Sequence, residues 1–206
     1  MARARAPRKA PAADRSPETR LIEATLALAA RQGWRRTSLA EIAEEAGLKL
    51  HEAYALHRSK GSILRAFTRR IDAAVLAQPG TSEDGPRERL FDTLMRRFDA
   101  LKPHKDGVRA ILRDSIGHPA ALLGLPALAR SMGWMLEASG ISSAGCRGRL
   151  TADATAALYL SVLRVFLADD TSDLGRTMAA LDRALRRAES LCRFMPPGRR
   201  EARRAA

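Results

Sequence analysis

Apolar residues return at spacings of three and four along almost the whole chain, the signature of amphipathic helices rather than strands. Leu21, Ile22, Thr25, Leu26 and Ala29 share one face of a first helix. It opens at Ser16-Pro17-Glu18, with an N-cap, a proline at the first helical position and an acid in the first turn, and it stops at Gly33. Residues 37–60 read as two short helices hinged at Ala46-Gly47-Leu48, the layout of a helix-turn-helix. Ser38 with Glu41 three residues on forms a capping box, and Leu39, Ile42, Ala43 and Ala46 give the first of the pair a buried stripe. Leu50, Ala53, Tyr54 and His57 continue the period on the second. Ser59 caps a fourth helix whose apolar positions are Ile63, Leu64, Phe67, Ile71 and Leu76.

The stretch from Gln78 to Pro86 contains PGTSEDGP and reads as a linker. Beyond it the helical period resumes. Leu90, Phe91, Leu94, Phe98 and Leu101 lie on one face before Pro103 ends their helix, and residues 106–116 form another up to a Gly117-His118-Pro119 break. The apolar stretch from Ala120 to Ser139 should bend or restart at Pro126. Residues 141–148 read as a loop. In the next helix Leu158, Tyr159, Leu160, Val162, Leu163, Val165, Phe166 and Leu167 encircle the axis, so it needs cover on more than one side. Its successor repeats Leu174, Met178, Leu181, Leu185, Ala188 and Cys192 at alternating steps of four and three, a coiled-coil-like seam. These two helices predict a symmetric homodimer with an interface at Leu158, Val162, Val165, Phe166, Leu174, Met178, Leu181 and Leu185.

The expected fold class is therefore all-α. Residues 1–15 would be a disordered basic arm, 16–77 a helix-turn-helix domain, 87–195 a helical ligand-binding and dimerisation domain, and 196–206 a basic tail. Composition agrees, with 46% hydrophobic and 29% charged residues and only 4% aromatics across 206 positions. No uninterrupted apolar run reaches the ~18 residues that a bilayer requires. The first residues are basic and Pro/Ala-rich without the apolar core of a signal peptide, and Cys146 and Cys192 share no metal or redox spacing, so a cytoplasmic setting is expected.

Charge changes the picture most. The net +13 is unevenly placed: residues 1–78 hold 15 Lys/Arg against 8 Asp/Glu, while residues 79–192 hold 16 against 14. From residue 193 onward there are 5 Arg against one acid. Positive charge thus collects at the helix-turn-helix end and in the tail, which points to a polyanionic partner.

The residues Gly33 and Thr37, the run EIAEEAGL from Glu41 to Leu48, then Tyr54, Ser59-Lys60 and Leu64 resemble the DNA-binding domain of TetR-family regulators. That resemblance implies a dimeric all-helical protein with a ligand domain behind its DNA-binding helices, and double-stranded DNA as partner. It also implies that Thr37, Tyr54 and Lys60 hold the phosphate backbone, and that Lys49, Leu50, His51, Glu52 and Ala55 face base edges. A glutamate at position 52 would face phosphate or accept from a cytosine amine. A fainter resemblance lies in residues 97–112, 131–141 and 167–185, which are similar to lipid-binding accessory proteins of ubiquinone biosynthesis. That alternative implies an isoprenoid lipid, an anionic membrane and a quinone-pathway enzyme as partners, without sequence-specific DNA binding. In plain helix chemistry, the turn from Asp169 to Asp173 would have Thr171 or Ser172 capping the last helix and Asp173 in its first turn.

Other constellations carry less. His51-Glu52 lacks the second histidine at position 55 that a zinc-binding helix requires, and His104 and His118 stand without a ligand array, so no metal is expected. The glycines at 145 and 148 follow no predicted strand, so they carry no nucleotide-binding weight and no cofactor is expected. No spacing assembles a catalytic set, and the chain is not expected to be an enzyme. Phe91, Phe98, Leu112, Leu128, Met132, Trp134, Met135 and Leu136 would line an apolar pocket for a small hydrophobic effector, with the tryptophan as polar handle.

Overall fold

The computed structural model describes residues 16–78, 85–115 and 124–193. The basic arm, most of the expected linker, the 117–119 break and the C-terminal tail lie outside them. Among the described residues every regular element is helical. In chain order these are α1 (Pro17–Gln32), α2 (Leu39–Glu45), α3 (Leu50–Leu56), α4 (Lys60–Leu76) and α5 (Pro86–Leu101). A 3-10 turn (Lys102–His104) leads to α6 (Lys105–Ser115), followed by α7 (Leu125–Ala138), α8 (Gly145–Leu167) and α9 (Gly175–Arg193).

The chain divides into two compact units, one of residues up to Phe67 together with Asp106–Asp114, the other of Thr68–Lys105 and the residues from Ser115 on. In the first unit the helix starts follow from local chemistry. The Ser16 hydroxyl accepts from the Thr19 amide at 3.3 Å, and Pro17 holds the first helical position. Ser38 and Glu41 form the reciprocal capping box, the Ser38 amide donating to the Glu41 carboxylate at 2.7 Å. Gly47 has φ +64°, a left-handed conformation that an L side chain resists, and it reverses the chain between α2 and α3. The core of this unit holds Leu21, Ile22, Leu26, Ala29, Ile42, Ala43, Ala53 and Ile63. Gly107 of α6 closes on α1 so tightly that a Cβ there would lie 2.7 Å from the Leu26 carbonyl oxygen.

In the second unit α8 packs on α7 and α9, and α5 packs on α7 and α9. An aromatic stack forms the centre: the Phe98 ring lies 4.9 Å from Tyr159 and 5.1 Å from Phe166. Met132, Met135, Leu136, Leu174 and Leu181 are fully buried around it. Among the described residues α8 is the helix long and apolar enough to cross a bilayer, although no apolar run in the sequence reaches that length. Its Tyr159, Val162 and Phe166 side is enclosed, so it serves as the core helix of this unit.

Several local expectations need correction. Leu39 and Leu76 are exposed, and Val75 is buried where Leu76 was expected. Pro103 sits in the 3-10 turn and hands the chain directly to α6, because a proline is tolerated in the first turn of the element that follows. Pro126, by contrast, lies in the first turn of α7, so a helix starts there as the sequence suggested. The 141–148 loop is shorter than read, since α8 begins at Gly145.

The start of α9 differs too. Thr171 is one contributor, its hydroxyl accepting from the Gly175 amide at 3.2 Å, but Asp173 precedes the helix instead of lying in its first turn. The main anchor is Asp169, 1% exposed, whose carboxylate accepts from the amide and hydroxyl of Thr177, both at 2.7 Å, and from those of Thr171 at 3.2 and 2.6 Å. Burial alone would raise the Asp169 pKa, but these four hydrogen bonds to the ionised form hold it well below the carboxylate range.

Candidate nucleic-acid interface

α3 is a seven-residue helix with one side anchored and the rest open. Ala53 and His57 anchor it: Ala53 is 7% exposed, and the buried His57 ring places Nε2 3.1 Å from a Glu18 carboxylate oxygen of α1. Leu50, His51, Tyr54 and Ala55 form an exposed stripe at positions i, i+1, i+4 and i+5. Leu50 and Tyr54 are 58% and 61% exposed, large values for such side chains. The guanidinium of Arg58 stands 5.8 Å from the Tyr54 ring centroid. Lys49 and Arg58, exposed at the two ends of α3, flank its open face, and Arg35 and Arg36 are exposed elsewhere on this unit, as are Glu44, Glu45 and Glu52.

Three of the residues picked from the sequence for DNA contact are employed differently. Thr37 is 2% exposed, and its hydroxyl donates to the Gly33 carbonyl at 2.9 Å, so its proton is committed inside the domain. Lys60 is half-buried. Its Nζ donates to the carbonyls of Trp34 and Thr37 at 2.9 and 2.7 Å and lies 4.4 Å from the Trp34 ring centroid. Burial lowers its pKa, and Glu41 partly offsets that shift. It therefore braces the loop between α1 and α2 against the start of α4. Glu52 turns back on its own helix, the Lys49 amide donating to its carboxylate at 2.7 Å. One Glu52 oxygen thus serves as the N3 member of a helix cap, while the side chain stays exposed. Lys49, Leu50, His51, Tyr54 and Ala55 remain open.

The residues expected to line a ligand pocket are scattered. Phe98, Met132, Met135 and Leu136 meet in the buried core of the second unit, with Phe91 and Leu128 half-buried there. Trp134 is 64% exposed and Leu112 belongs to the first unit. Polar handles in that core come instead from residues the sequence reading passed over. The Arg97 guanidinium, 4% exposed, donates to Asp72 at 3.0 Å and to Ser131 at 3.3 Å, and it lies 4.6 Å from the Tyr159 ring centroid. Burial raises the pKa of the enclosed Tyr159 hydroxyl, and the neighbouring Arg97 guanidinium partly offsets that shift. The signal for Arg97 was present: it stands on the apolar stripe of α5 between Leu94 and Leu101.

The residues expected at a dimer seam also divide. Val162, Phe166, Leu174, Leu181 and Leu185 are at most 5% exposed within one chain, so their apolar surface is already consumed by its own core. Leu158 and Val165 are half-buried and Met178 is 44% exposed, as is Leu150 at 58%.

Residues 21–67 match the family model described as bacterial regulatory proteins, tetR family. No curated protein matches the chain in sequence. Among solved structures, a TetR transcriptional regulator from Nitrosomonas europaea superposes with TM-score 0.68 at 20% identity, covering 84% of this chain and 97% of that one. One from Rhodococcus sp. RHA1 gives 0.60 at 20% identity, covering 82% and 93%. One from Streptomyces coelicolor gives 0.52 at 20% identity, covering 82% and 77%. At such identities the likeness is one of fold. Residues 21–67 thus match the tetR-family model, and the described residues share the all-helical fold of solved TetR regulators.

Proposed function

We propose that the protein is a DNA-binding transcriptional regulator of TetR type, working in the bacterial cytoplasm as a homodimer under control of a small hydrophobic effector. The observation that carries this reading is the open face of α3 with Lys49, Arg58, Arg35 and Arg36 exposed on the same unit, inside the segment matched to a family of regulatory proteins. Exposed cations suit the phosphate backbone, while a helix side free of internal contacts suits a major groove. Two copies would read half-sites one helical turn, ~34 Å, apart. Self-association through α8 and α9 is supported by the apolar side chains still accessible there, Leu150, Leu158, Val165 and Met178.

For the effector, the supporting features lie in the second unit. Methionines 132 and 135 adapt to irregular shapes, and the buried Tyr159 hydroxyl and Arg97 guanidinium place polar groups in the same core. An effector that binds one dimer geometry better than another shifts the population between them and so changes DNA affinity. No observation favours the ubiquinone-pathway reading over this one.

Retardation of genomic duplex fragments by the purified protein at graded salt tests the proposal. Binding should fall steeply as salt rises. Arg58→Ala and Tyr54→Phe should weaken it by similar factors on every fragment, as backbone contacts do. Lys60→Ala should act differently, lowering thermal stability along with affinity, because its ammonium braces the domain from inside. Absence of any salt-dependent retardation would refute the reading.

A further inference from the structure

A solitary exposed leucine is ordinary on a protein surface, but here four large apolar side chains stand open within 18 residues. Leu39 is 38% exposed, Leu50 58%, Tyr54 61% and Leu56 40%. They occupy the two helices of the helix-turn-helix, and Arg35, Arg36, Lys49 and Arg58 are exposed on the same unit. Glu44, Glu45 and Glu52 are exposed on the same helices, with Glu45 paired to Arg31 and Glu52 accepting from the Lys49 amide, while Lys49 and Arg58 flank α3. The polyanion proposed above is the partner that this mixture of cations and apolar groups is taken to meet.

The polar groups that ordinarily read bases are scarce on this face. Glu52 is committed to the Lys49 amide. The Tyr54 ring has the Arg58 guanidinium for company. What α3 offers outward beyond Lys49 is Leu50, Ala55 and one imidazole, His51. In a major groove the one apolar group on a base edge is the C5-methyl of thymine.

We infer that this protein reads its sites chiefly through thymine methyl groups, with Leu50 and Ala55 as the specificity-determining contacts and His51 as the main polar reader. The inference rests on the DNA-binding reading above and specifies what kind of sequence that surface selects. Sites should hold thymines at fixed positions in each half. Cytosine carries a hydrogen where thymine carries its methyl, so it forfeits the apolar contact that Leu50 and Ala55 offer.

The intact protein is used to select duplexes from a random-sequence library, and each thymine of the enriched sites is then replaced singly by uracil, which lacks only the methyl. The expected result is a loss of roughly three- to five-fold in affinity at one or more positions per half-site, the effect of removing one buried methyl contact. With Leu50→Ala that loss should shrink towards unity at the position Leu50 faces. Leu50 is largely exposed, so its replacement leaves the fold intact. Enrichment of sites at which every uracil replacement is neutral overturns this inference and leaves the DNA-binding reading standing. Failure of the library to enrich any sequence overturns both, as would a patch found to bind only anionic vesicles.

Discussion

Two buried carboxylates show how single residues tie this chain together. Arg97 and Asp72 are 4% and 9% exposed and paired at 3.0 Å, with Ser131 taking a further guanidinium proton at 3.3 Å. Removing one partner strands the other charge out of water. Asp72→Leu alone should therefore cost about 3–5 kcal/mol, whereas Asp72→Leu with Arg97→Met should cost much less. Denaturant unfolding of both single variants and the double variant closes that cycle. If the double variant loses the sum of the singles, the pair is not coupled as drawn. Asp169 gives the pH dependence. Its folded pKa is depressed, so its stabilisation is present above the ordinary carboxylate value and is lost as pH falls through the folded value. Asp169→Asn should thus lower stability at pH 7, by about 2 kcal/mol for charge-assisted bonds of this kind, and the gap should narrow in strong acid. A gap that stays constant from pH 7 down to pH 2 would contradict this assignment.

At the scale of elements, helix starts were legible because capping chemistry is local. Ser16-Pro17, Ser38 with Glu41, and Ser59 each declare a start through residues within one turn. What was not legible depends on partners distant in sequence. Asp169 reaches Thr177 across a turn and enters α9 ahead of Thr171, and Lys60 reaches back to Trp34 and Thr37. Neither contact follows from periodicity, and Thr37 and Lys60 both carry internal ties that the sequence does not announce. Leu50 and Tyr54 fit the helical period of α3 yet lie open, since a period gives relative direction along a helix and not which neighbour fills it. Gly107 is a further element-level tie that composition conceals. Its missing side chain lets α6 approach the Leu26 backbone, and Gly107→Ala should destabilise by about 1–3 kcal/mol despite alanine's better helix propensity. A Gly107→Ala variant with a raised melting temperature would show that α6 does not close on α1 at this point.

For the whole molecule, the proposed dimer and the proposed DNA surface stand on different residues and fail separately. The seam expected along α9 is largely used up inside one chain by Leu174, Leu181 and Leu185. Association then depends on the remaining apolar side chains of α8 and α9, Met178 among them. Sedimentation should give twice the 22.5 kDa of one chain, and Met178→Arg should shift the protein towards monomer without loss of helix content. The central claim, however, is that the open face of α3 is where this protein meets DNA. Amide hydrogen exchange, compared with and without a duplex that the protein retards, tests it most directly. The account predicts added protection concentrated in residues 49–58. Protection confined to the second unit, or exchange in α3 unchanged by saturating duplex, would contradict it.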